Sequence, residues 1–159
     1  MRILVARPLA AEAFAPYGDV IAAPAQPGRV YFERSLANGR PSAVPSLSLV
    51  LAKPIASLPL RAAQMERHEF SSQSFVPTDP GRWFVIVAPR HADGGPDARR
   101  AEAFVAGPGQ GVTYGMNVWH HPLSVIGDPI RFAIWMWLER SETDEEFIQL
   151  EEPFEVHLG

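Results

Sequence analysis

Ile130-Arg131-Phe132-Ala133-Ile134-Trp135-Met136-Trp137 is the stretch that decides the fold class. Isoleucine and aromatic side chains dominate it, and neither glycine nor proline interrupts it, which is the composition of a β-strand. Leu47-Ser48-Leu49-Val50-Leu51 and Trp83-Phe84-Val85-Ile86-Val87 have the same character. Around these pieces, 16 prolines and 12 glycines are scattered along the whole chain, so it is cut into short elements joined by turns and long helices are not expected. The reading is an all-β sandwich or barrel. Two stretches read as short helical turns: residues 10–17, stopped by Pro16 and Gly18, and residues 97–104, which follow Pro96.

A chain of 159 residues has the usual size of one domain, and residues 1–159 are expected to form a single unit. At 47% hydrophobic and 20% charged it has the composition of a folded protein and lies far from that of a disordered one. Cysteine is absent, which excludes disulfide frameworks, thiolate metal sites and cysteine nucleophiles; any metal must be held by His, carboxylate or amide groups. A net charge of −4 without a clustered basic face argues against nucleic acid and for a small partner. The short apolar run at residues 1–7 ends at Arg7 and lacks the longer stretch of a signal peptide. No run approaches the ~20 apolar residues of a membrane helix, so the expected location is the cytoplasm. Glu142, Asp144, Glu145, Glu146, Glu151 and Glu152 make the C-terminal region acidic, and it reads as a solvated edge.

Two blocks carry groups that do chemistry. In Met65-Glu66-Arg67-His68-Glu69-Phe70-Ser71-Ser72-Gln73, period-two alternation on a strand puts Glu66 and His68 on one face, with Arg67 and Glu69 on the other. Gln73 follows after a short turn, near enough to join the same pocket if the chain bends there. Gly107 to Gly111 read as a turn, Tyr114 ends a strand, and Trp119-His120-His121-Pro122 follow. Adjacent strand residues face opposite ways, so one of the two histidines enters the barrel; His120 is chosen because His121 precedes a proline and sits at the strand margin. Taken singly, each residue has an ordinary structural explanation: a hydrogen-bonded histidine, a tyrosine filling core volume, a tryptophan that packs. Together the blocks resemble the two halves of a cupin barrel, in which one strand offers His with two further ligands and a later Gly-containing hairpin returns a single His.

The chain also resembles one particular family, the ureidoglycolate lyases, long called ureidoglycolate hydrolases. The resemblance rests on residues 14–21 (Phe-Ala-Pro-Tyr-Gly-Asp-Val-Ile), on Glu66-Arg67-His68 with Ser72-Gln73-Ser74-Phe75-Val76-Pro77, and on Gly109-Gln110-Gly111-Val112 with Val118-Trp119-His120-His121-Pro122-Leu123. It implies a cupin-like double-stranded β-barrel (jelly roll) with one or two short helices, acting as a homodimer on (S)-ureidoglycolate in allantoin and purine breakdown. It implies catalytic roles for His68, Gln73, Tyr114 and His120. It also implies a divalent metal, nickel above others, with Glu66, His68, Gln73 and His120 at the ligand positions and no organic cofactor. Residues 30–40 and 138–147 depart from the family's pattern.

The implied reaction releases glyoxylate and urea. Ureidoglycolate is a hemiaminal, so cleaving its C–N bond needs a base for the hydroxyl proton, an acid for the departing nitrogen and a cationic grip on the carboxylate. In one version His120 or His68 takes the hydroxyl proton, Tyr114 or the other histidine delivers one to nitrogen, and Gln73 orients the ureido group; in the other the histidines are ligands of a metal that performs the electrostatic work. Without a metal the carboxylate needs Arg34, Arg40 or Lys53. The rival readings are a hydrolase that releases ammonia on the same scaffold and a non-catalytic module that binds a small carboxylate.

Overall fold

The computed structural model describes residues 1–159. Its strands are β1 (Arg2–Pro8), β2 (Gly18–Ile21), β3 (Val44–Ala52), β4 (Leu60–Arg67), β5 (Gln73–Pro77), β6 (Arg82–Ala88), β7 (Glu102–Ala106), β8 (Gly111–Tyr114), β9 (Trp119–His120), β10 (Ser124–Ile126), β11 (Ile130–Leu138) and β12 (Glu146–Leu158). One short helix, α1 (Ala11–Phe14), and 3-10 turns at Ala98–Arg100 and Glu142–Asp144 complete the chain. The all-β, cupin-like reading holds, and the three strands read first from sequence lie within β3, β6 and β11.

The strands form two sheets. In the first, β6, β7, β1, β12, β4 and β9 pair in turn and β9 returns to β6, closing a ring, with β10 attached to the outer edge of β6. The ring is mixed, because β1 runs parallel to both β7 and β12. The second sheet is antiparallel, in the order β2-β8-β5-β11-β3.

Side-chain alternation along β6 shows how two cores are built from these sheets. Trp83, Val85 and Val87 join Phe14, Phe75, Phe104, Val112, Tyr114 and Phe132 in one buried cluster, which packs the second sheet against the ring. Phe84, Ile86 and Ala88 point the other way and join Met65, Trp119, Phe154 and Val156. Five of the twelve members of this other cluster are alanines, Ala6, Ala62, Ala88, Ala101 and Ala103, and small side chains are what the taper of a narrow ring admits. In the larger cluster Trp83 meets Phe132 edge-on with ring centroids 5.2 Å apart. Truncating either aromatic to alanine costs about 3–5 kcal/mol.

The helix expected over 97–104 does not form. A 3-10 turn covers Ala98–Arg100 and the remainder is β7. Alanine, arginine and glutamate favour a helix locally, but Ala103 is buried in the alanine-rich cluster while Phe104 is buried in the other. Only a strand sends consecutive side chains to opposite sides in this way. The acidic C-terminal region is likewise more than a solvated edge: β12 runs antiparallel to β4 and parallel to β1, with its register broken between Gln149 and Phe154. Pro153 lies in that gap, where no ladder donor is required. No helix is long and apolar enough to cross a membrane.

Candidate functional site

The ring closes through the two residues of β9. His120 is the Cα partner of Glu66 on one side and of Val87 on the other. Cross-strand partners share a face, and Val87 belongs to the cluster between the sheets. Glu66 and His120 therefore face the second sheet, while Trp119 turns back into the ring. Trp119 is fixed there by its indole N–H, which donates to the Gly94 carbonyl (2.8 Å), and by the Arg67 guanidinium 4.7 Å from its ring. Arg67 also donates to Glu146 Oε2 (2.7 Å) and Asn117 Oδ1 (2.9 Å), so it ties β4, β12 and the approach to β9 together instead of standing in solvent.

β4 ends at Arg67, and His68 begins a turn that returns the chain to the second sheet. The Asn117 amide donates to the His68 carbonyl (2.9 Å). Residues 37–39 back the rest of the turn: Gly39 N–H donates to Phe70 O (2.7 Å), Ser72 N–H to Ala37 O (3.0 Å) and Ala37 N–H to Ser72 Oγ (2.9 Å). The turn brings the His68 imidazole over the ring seam, with its centroid 5.6 Å from that of His120. One donor atom each from Glu66, His68 and His120, all three residues buried, lies within 4.8 Å of the others.

Hydrogen bonds fix the tautomers. His68 Nδ1–H donates to the Asp144 carbonyl (2.9 Å) and His120 Nδ1–H to the Val118 carbonyl (2.9 Å). A ring nitrogen beside a carbonyl oxygen carries the proton, so in the neutral ring Nε2 is the atom left to accept or to ligate. Both Nε2 atoms are buried without a hydrogen-bond partner, as is Gln73 Oε1. His120 Nε2 lies 3.3 Å from Glu66 Oε1, at ion-pair distance but outside hydrogen-bond geometry.

Burial, and then the nearby His120, hold the His68 imidazole below its ordinary pKa and keep it neutral. Burial alone would raise the Glu66 carboxyl, but the adjacent His120 outweighs it and holds the carboxyl below its usual range. Buried lone pairs and a carboxylate left without partners are costly. The chemistry that satisfies two imidazoles, a carboxylate and an amide oxygen is a divalent cation of the nickel, iron, manganese or zinc type, so the donor set fits a metal. The carbonyls behind each Nδ1 are the outer partners that orient metal-bound histidines.

Tyr114 ends β8, opposite Gln73 of β5. Its ring stacks on the His120 imidazole at 4.0 Å and 11°. Burial, reinforced by the Glu66 charge, pushes the Tyr114 phenol far up and keeps it protonated. Gln73 Nε2 rests against Met136 Sδ (3.7 Å), which leaves the amide oxygen free. His68 and Gln73 line a cavity of about 690 Å³ that Arg140, Asp144 and Glu145 also border.

The three cations considered from sequence lie elsewhere. Arg34 donates to Asp19 Oδ1 (2.9 Å) and the Gly18 carbonyl (2.8 Å). Arg40 is closer to the site but committed: it pairs with Asp144 (2.7 Å) and Glu139 (3.4 Å). Lys53 follows Ala52, which pairs with Ile130 of β11, whereas Gln73 pairs with Met136. At about 3.4 Å per residue those positions are roughly 20 Å apart. His121 turns from the cluster and bonds the Pro122 carbonyl (2.9 Å) and Ser124 Oγ (3.1 Å).

Asp144 and Glu145 were read from sequence as part of an acidic, solvated edge, and Arg140 was not singled out. Asp144 carried a legible signal, since Ser141-Glu142-Thr143-Asp144 has the spacing of a capping box and forms one. That box holds the carbonyl that orients His68.

Comparison with known proteins agrees with this architecture. The family model described as ureidoglycolate lyase matches residues 1–157. A relative from Agrobacterium fabrum is 37% identical over 159 residues, covering 100% of this chain and 98% of its own. Proteins named ureidoglycolate lyase from Mesorhizobium japonicum and Chelativorans sp. are 36% and 38% identical, each across 99% of this chain and across 99% and 98% of their own lengths.

Proposed function

The chain belongs to the ureidoglycolate lyase family, and on that premise we propose that it cleaves ureidoglycolate to glyoxylate and urea. The observation that carries this reading is the buried set of Glu66, His68 and His120, with both imidazole Nε2 atoms unpartnered and His68 bordering a cavity. These three residues would hold a divalent metal, which leaves Gln73 Oε1 to the substrate. When bound, the metal supplies positive charge that acidifies the substrate hydroxyl.

The chain's own groups do the rest. Gln73 orients the ureido group through its free amide oxygen. Tyr114 fixes the plane of His120 by stacking, and its phenol is assigned the proton for the departing nitrogen. The proton lost from the substrate hydroxyl restores the phenol, so the C–N bond breaks with no net proton taken up or released. The Asp144 and Val118 carbonyls accept from Nδ1–H of the two imidazoles and so orient the rings.

Residues 1–159 act as one domain, located in the cytoplasm, and the working form is a homodimer. Leu47, Leu49 and Leu51 of edge strand β3 are 67%, 77% and 56% exposed, and their cross-strand neighbours Trp135, Ala133 and Arg131 continue the same face. A second copy is the partner that covers such a face symmetrically, and doing so removes the open sheet edge.

Quantifying glyoxylate, urea and ammonia released from racemic ureidoglycolate, against spontaneous decay, tests the reading. Equal accelerated release of glyoxylate and urea supports a lyase. Ammonia in place of urea identifies the hydrolase.

A further inference from the structure

We propose that Arg140 is the residue that grips the substrate's carboxylate, an inference that rests on the lyase reading and deepens it. An anionic substrate entering the cavity meets Glu142 and Glu145 at its border, so a cationic group of the chain is needed beside them. Arg34 and Arg40 are each bound to carboxylates of the chain, and Lys53 is at the far end of the second sheet. Arg140 is the arginine that borders the cavity holding His68 and Gln73. It is exposed and takes part in none of the chain's ion pairs.

Its backbone adds an independent observation. Arg140 has φ of 63°, a left-handed conformation that a residue with a Cβ seldom adopts, and such strained positions concentrate at ligand sites. Its neighbours are tied on both sides. Glu139 is drawn to Arg40 and Ser42 on one side, and the Ser141 amide is fixed to Asp144 Oδ2 (3.1 Å) on the other. Arg140 is thus the free residue in a tied loop, the same loop whose Asp144 carbonyl orients His68. A planar guanidinium matches a carboxylate with two parallel N–H donors, which an ammonium cannot reproduce.

The test compares wild type, Arg140→Gln and Arg140→Lys on ureidoglycolate and on its carboxamide analogue, with calorimetric titration of glyoxylate into each protein. The expected result in Arg140→Gln is a KM raised roughly 10–100-fold, kcat changed by less than about threefold, and glyoxylate binding weakened to match. Arg140→Lys should recover part of the loss, and the carboxamide should be handled alike by all three proteins. An unchanged KM in Arg140→Gln, or equal losses on acid and carboxamide, overturns the assignment while leaving the lyase reading intact. Glyoxylate binding that depends on Arg140 in a protein that does not accelerate cleavage supports Arg140 and removes the lyase reading. Absence of both turnover and binding in wild type overturns both.

Discussion

Glu66 and His120 are Cα partners across the seam that closes the six-stranded ring, with His120 Nε2 3.3 Å from Glu66 Oε1. The seam is two residues long, so the side chains that carry the chemistry also sit where the barrel is stitched shut. Whatever satisfies those atoms should therefore act on stability as well as on turnover.

Replacing Glu66 by Gln keeps the shape of the side chain and removes its charge. Bound divalent metal, measured by elemental analysis after dialysis, should fall well below one ion per chain, and the thermal midpoint gained on adding metal to wild type should shrink. His68→Ala and His120→Ala should each lower kcat/KM by at least about 100-fold. His121→Ala should stay within a few-fold of wild type, because its ring bonds Pro122 and Ser124. Full activity in either of the first two histidine variants would refute the site.

Asp144 links acid stability to the site. Burial alone would raise its carboxyl, but the Glu139 amide, Arg40 and the Ser141 amide outweigh it and hold the carboxyl below the usual range. A folded-state pKa below the unfolded value of about 3.9 means that its contribution is complete above that pH and is lost as pH falls through the folded value. Asp144→Asn should cost about 1–3 kcal/mol at pH 7. Urea unfolding of both proteins should show the gap narrowing below about pH 4, whereas a gap that stays constant down to pH 2 would contradict the assignment.

Gly111 permits the close approach of β8 to β5. A Cβ there would overlap the Phe75 carbonyl oxygen and come within 3.1 Å of Pro77 Cδ. Gly111→Ala should push apart the strands that carry Tyr114 and Gln73, at about 2–3 kcal/mol or more. Thermal unfolding reads this directly, and a midpoint within a degree of wild type would show that the strands give way freely.

Leu49→Asp places a charge in the exposed face of β3. Sedimentation should show wild type as a dimer and the variant as a monomer of unchanged circular dichroism. A monomeric wild type at micromolar concentration would remove the dimer from the proposal.

The strands richest in Ile, Val and aromatics were legible because composition and the lack of breakers agree with their burial, as in β6 and β11. Glu66, His68 and Gln73 were legible as a group because alternation and a short turn are local properties. Ring closure was not, since it depends on β9, two residues whose partners lie more than thirty positions away in β6 and more than fifty away in β4. Residues 97–104 misled because local helix preference was overridden by the need to send Ala103 and Phe104 to different cores. The committed state of Arg40 was hidden for a similar reason: Asp144, its partner, is 104 residues away. The acidic run that looked uniformly solvated contains the loop that holds His68 in place.

The most direct measurement strips the purified protein of metal, restores one divalent ion at a time, and follows racemic ureidoglycolate by NMR against its spontaneous decay. Glyoxylate and urea should appear in equal amounts, with the accelerated rate lost on stripping and regained in proportion to the ion bound, up to one per chain. Full acceleration in the stripped protein would contradict the metal site at Glu66, His68 and His120, and no acceleration with any ion would contradict the lyase itself.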